Sequence, residues 1–121
     1  MRVIVGVAIF AIWGFALEYL SFEKAKEIAK KEGKLIMVEL TSPNCHYCRW
    51  MERTTLSDPK VEAAISKRFV PVRVDVSKES RFEWSMTPTF LFMDSEGKVI
   101  KRVPGAWKKE DFLELLKGVG R

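Results

Sequence analysis

The chain has 121 residues, a usual size for one domain that leaves little room for two. Apolar residues make up 47% and charged residues 31%, a normal balance for a globular protein. A domain of this length needs no metal or disulfide staple to hold its core. The net charge of +5 is spread among acids, as in Glu23-Lys24-Ala25-Lys26-Glu27 and Lys108-Lys109-Glu110-Asp111. That pattern belongs to solvated helix faces. With no arginine-rich block, zinc finger or RNA-recognition motif, it argues against nucleic acid as a partner.

Met1-Arg2 precedes an apolar run over residues 3–17, broken by Glu18. A charge followed by an apolar stretch is the layout of an export signal. As a helix the run would reach about 22 Å, against a hydrocarbon core of about 30 Å. It is therefore short for a spanning helix and long for a signal core. Gly14-Phe15-Ala16 supplies small residues at a spacing that suits cleavage. The alternative is a strand of the domain itself, for which Val3, Ile4, Val5, Val7 and Ile9 are suited. The expectation is a signal peptide or membrane anchor over residues 1–20, followed by a domain over 21–121. Contact with a membrane would then run through the first segment only.

From Ser21 the pattern turns helical: Phe22, Ala25, Ile28 and Ala29 share a face, and Gly33 supplies a stop. Residues 35–40 form an apolar run with the length and flanks of a buried strand. Thr41-Ser42-Pro43-Asn44 reads as a polar turn able to cap a helix, which places Cys45 in the first turn of a helix running through Trp50 and Met51. Asp58-Pro59 opens another helix, with Asp58 as the cap and Val61, Ala64, Ile65 and Phe69 facing its core. A strand is predicted over 70–76, where Pro71 near its beginning suggests an edge or entry position. Residues 77–86 are irregular. Thr87-Pro88 leads into a strand over 89–93, and a turn around Gly97 leads into a strand over 99–103. Gly105 breaks the chain, and a last helix covers 108–119. Strands separated by helices and followed by a hairpin imply a mixed sheet covered on both faces.

Cys45 and Cys48 are the only cysteines. A structural zinc site usually needs four ligands, whereas Cys45, Cys48 and the sole histidine, His46, make three at most; no metal is expected. A purely structural disulfide across so short a loop would remove little chain entropy. The third reading is redox chemistry, and the location favours it. A sulfur at a helix N-terminus meets unsatisfied N–H groups and the positive end of the helix dipole, both of which favour thiolate. Cys45 is thus the expected nucleophile, with Cys48 one turn further in to resolve a mixed disulfide. His46 either lowers the Cys45 pKa further or is an unpartnered loop histidine. Tyr47 shapes the surface.

With these residues in view the chain resembles the thioredoxin-fold family over about residues 21–120. The resemblance rests on the strand–turn–helix carrying Cys45-His46-Tyr47-Cys48, on Glu39 six residues before Cys45, on Thr87-Pro88 before an apolar strand, and on the closing strand, Gly97 turn, strand, Gly105 and helix. Asn44 stands where thioredoxins have tryptophan, no proline lies between the cysteines, and the stretch between Asp75 and Pro88 is shorter, so that a helix there is trimmed or lost. The run Cys45-His46-Tyr47-Cys48-Arg49-Trp50-Met51-Glu52, then Thr55-Leu56-Ser57-Asp58-Pro59, is more similar to exported thioredoxin-like proteins grouped with thiol:disulfide interchange domains.

This resemblance implies an α/β fold, a three-layer α/β/α sandwich with a mixed central sheet. It implies a thiol–disulfide oxidoreductase that exchanges disulfides with protein substrates, more in the reducing than the oxidising or isomerising direction. The family uses its buried acid to move the proton of the second cysteine, which gives that role to Glu39; the alternative is a solvent-facing edge glutamate. Pro88 would be cis and turn the Met86-Thr87 backbone toward the sulfurs, where a substrate would dock with Trp84 and Tyr47; the alternative is a trans proline at a strand start. The expected cofactor is none beyond the Cys45–Cys48 couple. The expected partners are protein disulfides or dithiols and a membrane thiol electron carrier, the chain acting as an exported monomer. A non-catalytic binding module on the same fold is the rival.

Overall fold

The computed structural model describes residues 17–120. Helix α1 (Phe22–Glu32) begins where the Ser21 hydroxyl accepts the Lys24 N–H at 3.2 Å and ends at Gly33, whose φ of 68° is left-handed. Strand β1 (Leu35–Thr41) follows, buried from Ile36 to its end. Helix α2 (His46–Thr54) carries the second cysteine, and α3 (Pro59–Arg68) starts on the expected Asp58–Pro59 signal. The Asp58 carboxylate accepts the Lys60 and Val61 N–H groups at 3.1 and 3.3 Å. Strand β2 (Phe69–Asp75), strand β3 (Thr89–Met93), strand β4 (Val99–Pro104) and helix α4 (Lys109–Gly118) complete the order.

The strands form one mixed sheet in the order β2-β1-β3-β4. β1 and β2 run parallel, which requires a crossover, and α2 with α3 supplies it. β3 lies antiparallel to both β1 and β4. Among the described residues β1 is therefore central and β2 lies at an edge, with Pro71 near its start, in keeping with an edge or entry position. β1 runs one residue beyond its predicted end because Thr41 still pairs with Asp75 across the parallel ladder.

Alternation along the strands sorts the side chains into two cores. Ile36, Val38, Leu40, Val72 and Leu91 pack with Ala25 and Ala29 of α1. Met37, Phe69, Phe90 and Phe92 pack on the other face with Met51, Ile65, Phe112 and Leu116 of α2, α3 and α4. The result is the expected three-layer α/β/α arrangement. Glu39 and Arg73 fall, by the same alternation, on the face beneath α2.

Residues 76–88 contain neither helix nor strand, in keeping with the shortened segment. The leader or anchor expected over residues 1–20 lies outside the described residues up to residue 16. Of its end, Leu17 packs on the α2–α4 side and Leu20 on the α1 side, and the Leu20 N–H donates to the Pro71 carbonyl at 3.1 Å. Among the described residues no helix is long and apolar enough to cross a membrane.

The Asp58 cap gives a direct check on this description. Asp58→Ala is expected to lower stability by about 1 kcal/mol, read as a shift of the urea midpoint at unchanged slope. A loss below about 0.3 kcal/mol would mean that the carboxylate does not hold the helix start.

Candidate functional site

The turn from β1 to α2 places Cys45 at the N-cap position, with extended backbone angles of φ −94° and ψ 103°. It lies just outside the first turn in which the sequence placed it. Its Sγ accepts the Cys48 N–H at 3.1 Å, one of the donors that a helix start leaves unpaired. The two cysteines form a disulfide, with their Cα atoms 5.2 Å apart. Cys45 is half-buried, whereas Cys48 is fully buried. A partner arriving from solvent thus meets one sulfur first. The same helix-start donor that contacts Sγ in the disulfide would stabilise a Cys45 thiolate after reduction.

Glu39 is fully buried in the central strand, so it is not an edge glutamate facing water. Its register partner on β2 is Arg73, whose Nε donates to Oε1 at 2.9 Å. The other carboxyl oxygen, Oε2, is buried with no hydrogen-bond partner. Burial pushes the Glu39 carboxyl up to about 7; the Arg73 charge opposes that rise and the nearby Glu52 carboxyl adds to it. One guanidinium contact does not offset the loss of water around the charge. Near neutral pH its protonated and ionised forms therefore lie close in free energy.

Glu52 is the neighbour that sequence reasoning missed. It lies on α2 four residues after Cys48, a spacing that puts both on one side of the helix. Its Oε1 is 3.5 Å from Arg49 Nε, its Oε2 is 3.8 Å from Arg73 Nε, and that Oε2 is also buried without a hydrogen bond. Arg49 in turn donates to Thr41 Oγ1 at 2.8 Å and to the Ser42 carbonyl at 3.2 Å. Beneath the cysteine-bearing helix there is thus a polar chain of Thr41, Arg49, Glu52, Arg73 and Glu39. The helical spacing could have identified Glu52. Nothing in the local sequence could have paired Arg73 with Glu39, because strand register across a crossover is a tertiary property.

The remaining predicted residues divide into two groups. The Thr87–Pro88 bond is cis, and Thr87 Oγ1 lies 3.0 Å from Ser42 Oγ, which joins this loop to the turn before Cys45. The Met86 carbonyl accepts the Thr89 hydroxyl at 2.7 Å. Tyr47 is 64% exposed and Met86 45%, so both are open to a partner. His46 is exposed and packs edge-to-face on Tyr47, with ring centroids 5.5 Å apart; among the described residues no hydrogen bond ties it to either sulfur. Trp84, 48% exposed, lines an open cleft with Phe82, Glu83, Ser85 and Arg102. No group of three or more His, Cys, Asp or Glu among the described residues is placed to hold a metal ion.

Comparison with known proteins places this geometry. A family model described as a thioredoxin-like domain matches residues 22–120. The thiol:disulfide interchange protein DsbD of Actinobacillus pleuropneumoniae is 28% identical over 115 residues, covering 81% of this chain and 20% of the relative. The chain thus spans about a fifth of the length of that curated relative. The solution structure of a thioredoxin from Thermus thermophilus superposes with a TM-score of 0.77 at 29% identity, covering 86% of this chain and 87% of that one. The oxidised C-terminal domain of Neisseria meningitidis DsbD superposes with a TM-score of 0.66 at 21% identity, covering 83% and 97%, a likeness of fold.

The buried acid has a consequence for stability. A carboxyl whose folded value lies near 7 against about 4.5 unfolded favours the folded state while protonated. Its contribution is complete below the unfolded value and is lost as pH rises through the folded one. The oxidised protein is therefore expected to lose stability progressively between about pH 4.5 and 7, measured by urea unfolding. Glu39→Gln should flatten that slope, and an unchanged slope in the variant would assign it to other groups.

Proposed function

The chain belongs to the thioredoxin-like domain family, and from that premise we propose that it is a thiol–disulfide oxidoreductase that reduces protein disulfides outside the cytoplasm. The observation that carries this reading is the unequal pair of sulfurs: Cys45 reachable at the helix start, Cys48 buried behind it. In the reduced protein the Cys45 thiolate attacks one sulfur of a substrate disulfide and expels the other as a thiolate. A mixed disulfide forms between Cys45 and the substrate. Cys48 then loses its proton to Glu39 and attacks Cys45 Sγ, which releases the second substrate thiolate and closes the Cys45–Cys48 disulfide. The substrate gains two electrons, and its two thiolates take up protons. A thiol carrier in the membrane returns the protein to the dithiol form.

Several features support the individual roles. Glu39 lies on the face beneath the cysteine helix with a proton affinity near neutrality, which suits a group that must take and return a proton. The Met86–Thr87 segment, ordered by the Ser42 and Thr89 hydroxyl contacts, would receive an extended substrate, with Tyr47 and Met86 as exposed apolar contacts. Trp84 extends this surface toward β4. His46 would act on Cys45 through its charge and not through a direct bond. Export through the apolar run before Glu18, cut no later than the Gly14-Phe15-Ala16 stretch or retained as an anchor so that Tyr19 stays with the domain, and action as a monomer, complete the proposal.

Equilibration of the Cys45–Cys48 couple against glutathione tests the direction of electron flow. A reduction potential near about −270 mV is expected for a reductase, and one near about −120 mV would make the protein a disulfide donor instead. Cys48→Ser should accumulate a mixed disulfide through Cys45, visible by mass, while Cys45→Ser should abolish turnover. Turnover retained in both variants would replace the enzyme with a binding module.

A further inference from the structure

Tyr19 belongs neither to the cysteine turn nor to the substrate loop, yet it touches the polar chain beneath α2. The Arg73 guanidinium carbon lies 3.9 Å from the centre of its ring. The guanidinium therefore has Glu39 on its donor edge and an aromatic face across its plane. Arg73 is 35% exposed and its register partner Glu39 not at all, so exposure falls from β2 to β1, while Glu52 above them on α2 is 22% exposed. The ring is held where it is by its neighbours. Leu17 and Leu20 pack on opposite sides of the sheet, and the Leu20 N–H is bonded to Pro71, two residues before Arg73.

We propose that Tyr19 is a positioning residue of the redox site: stacked on Arg73, it seals the Glu39–Glu52 pair from water on the side of β2 away from β1, so that the stretch leading into the domain sets the environment in which Glu39 works. This rests on the proton exchange between Glu39 and Cys48 proposed above. Glu39 Oε2 and Glu52 Oε2 are both buried and accept no hydrogen bond from a protein N–H or O–H among the described residues. Water admitted there would find acceptors at once. The charged and titratable groups facing Glu39 are Arg73 from β2, Glu52 from α2, which Arg49 pairs in turn, and Tyr19, itself influenced by Glu62 of α3. Burial holds the Tyr19 hydroxyl above its usual value, so the ring is neutral whenever Glu39 titrates. Removing the ring acts in two opposed ways. It hydrates Glu39, which favours the carboxylate, and it weakens the hold on Arg73, which favours the acid. Burial is the larger influence on Glu39, so hydration decides the sign.

The test follows the Glu39 carboxyl by carbon NMR in the full chain, together with the pH–rate profile for reduction of a peptide disulfide. Tyr19→Ala is expected to move both downward by about one pH unit, a tenfold loss of proton affinity. Tyr19→Phe, which keeps the stack, should leave both in place. Tyr19→Leu serves should the alanine variant not fold, and should move both in the same direction by less. A titration that stays within about 0.3 unit or moves upward in the alanine or leucine variant overturns the sealing role. Glu39→Gln in the parent separates the two readings. If it removes the pH limb while Tyr19→Ala leaves that limb unmoved, only the role of Tyr19 fails. If it leaves the limb intact, the proton role of Glu39 fails, and this inference fails with it.

Discussion

A carboxyl group placed in the middle strand of a sheet, away from water, is the constraint around which the rest of this site is arranged. Isolated in that position an ionised glutamate would be very costly, and the protein answers with partial compensation. Arg73 arrives from the parallel neighbour β2 in direct register and donates one hydrogen bond. A second carboxyl, Glu52, comes from α2 and works against ionisation. The balance leaves Glu39 neither firmly charged nor firmly neutral, which is the condition under which a side chain can accept and return a proton near pH 7.

The same helix that brings Glu52 down to the sheet presents Cys45 at its start and buries Cys48 one turn later. One element thereby creates two sulfurs of different character. The first meets solvent and the helix-start N–H donors; the second faces the interior. Thr41, Arg49 and Ser42 tie the turn before the helix to the end of β1, and the Ser42–Thr87 contact ties that turn to the proline loop. The cysteine turn, the proline loop and the acid are thus three loci on one central strand and its flanks. Rigid placement of this kind is what exchange between sulfurs needs, since the resolving thiol must meet the mixed disulfide without a large rearrangement.

The fold was legible in the residues to a considerable degree. Asp58-Pro59, Ser21 and Gly33 mark helix ends by local hydrogen bonding and backbone preference, and each is found in that role. The apolar runs that became β1 and β3 are buried on both faces, which is why they lack alternation. The site was legible less evenly. The cysteine pair could be read from spacing and the cis Thr87–Pro88 bond from the family resemblance. The burial of Glu39 was one of two readings. Arg73, Arg49 and Tyr19 carried no local signal at all, and Glu52 carried only its helical spacing from Cys48.

The sequence by itself determined the order of helices and strands and their bounds to within a residue or so, which sulfur stands at a helix start, and that a glutamate interrupts an apolar strand. These are short-range matters of propensity, capping and spacing within a few residues. Only the tertiary structure decided that β1 is central, that Arg73 stands opposite Glu39, that Glu52 crowds the same carboxyl and that Tyr19 lies across the guanidinium. Each of those depends on the register of a parallel pair joined by a long crossover, or on a segment that packs against a strand far along the chain. Register and packing are set by the whole core at once, so the charge balance at Glu39, and the chemistry it permits, first exists when the sheet closes.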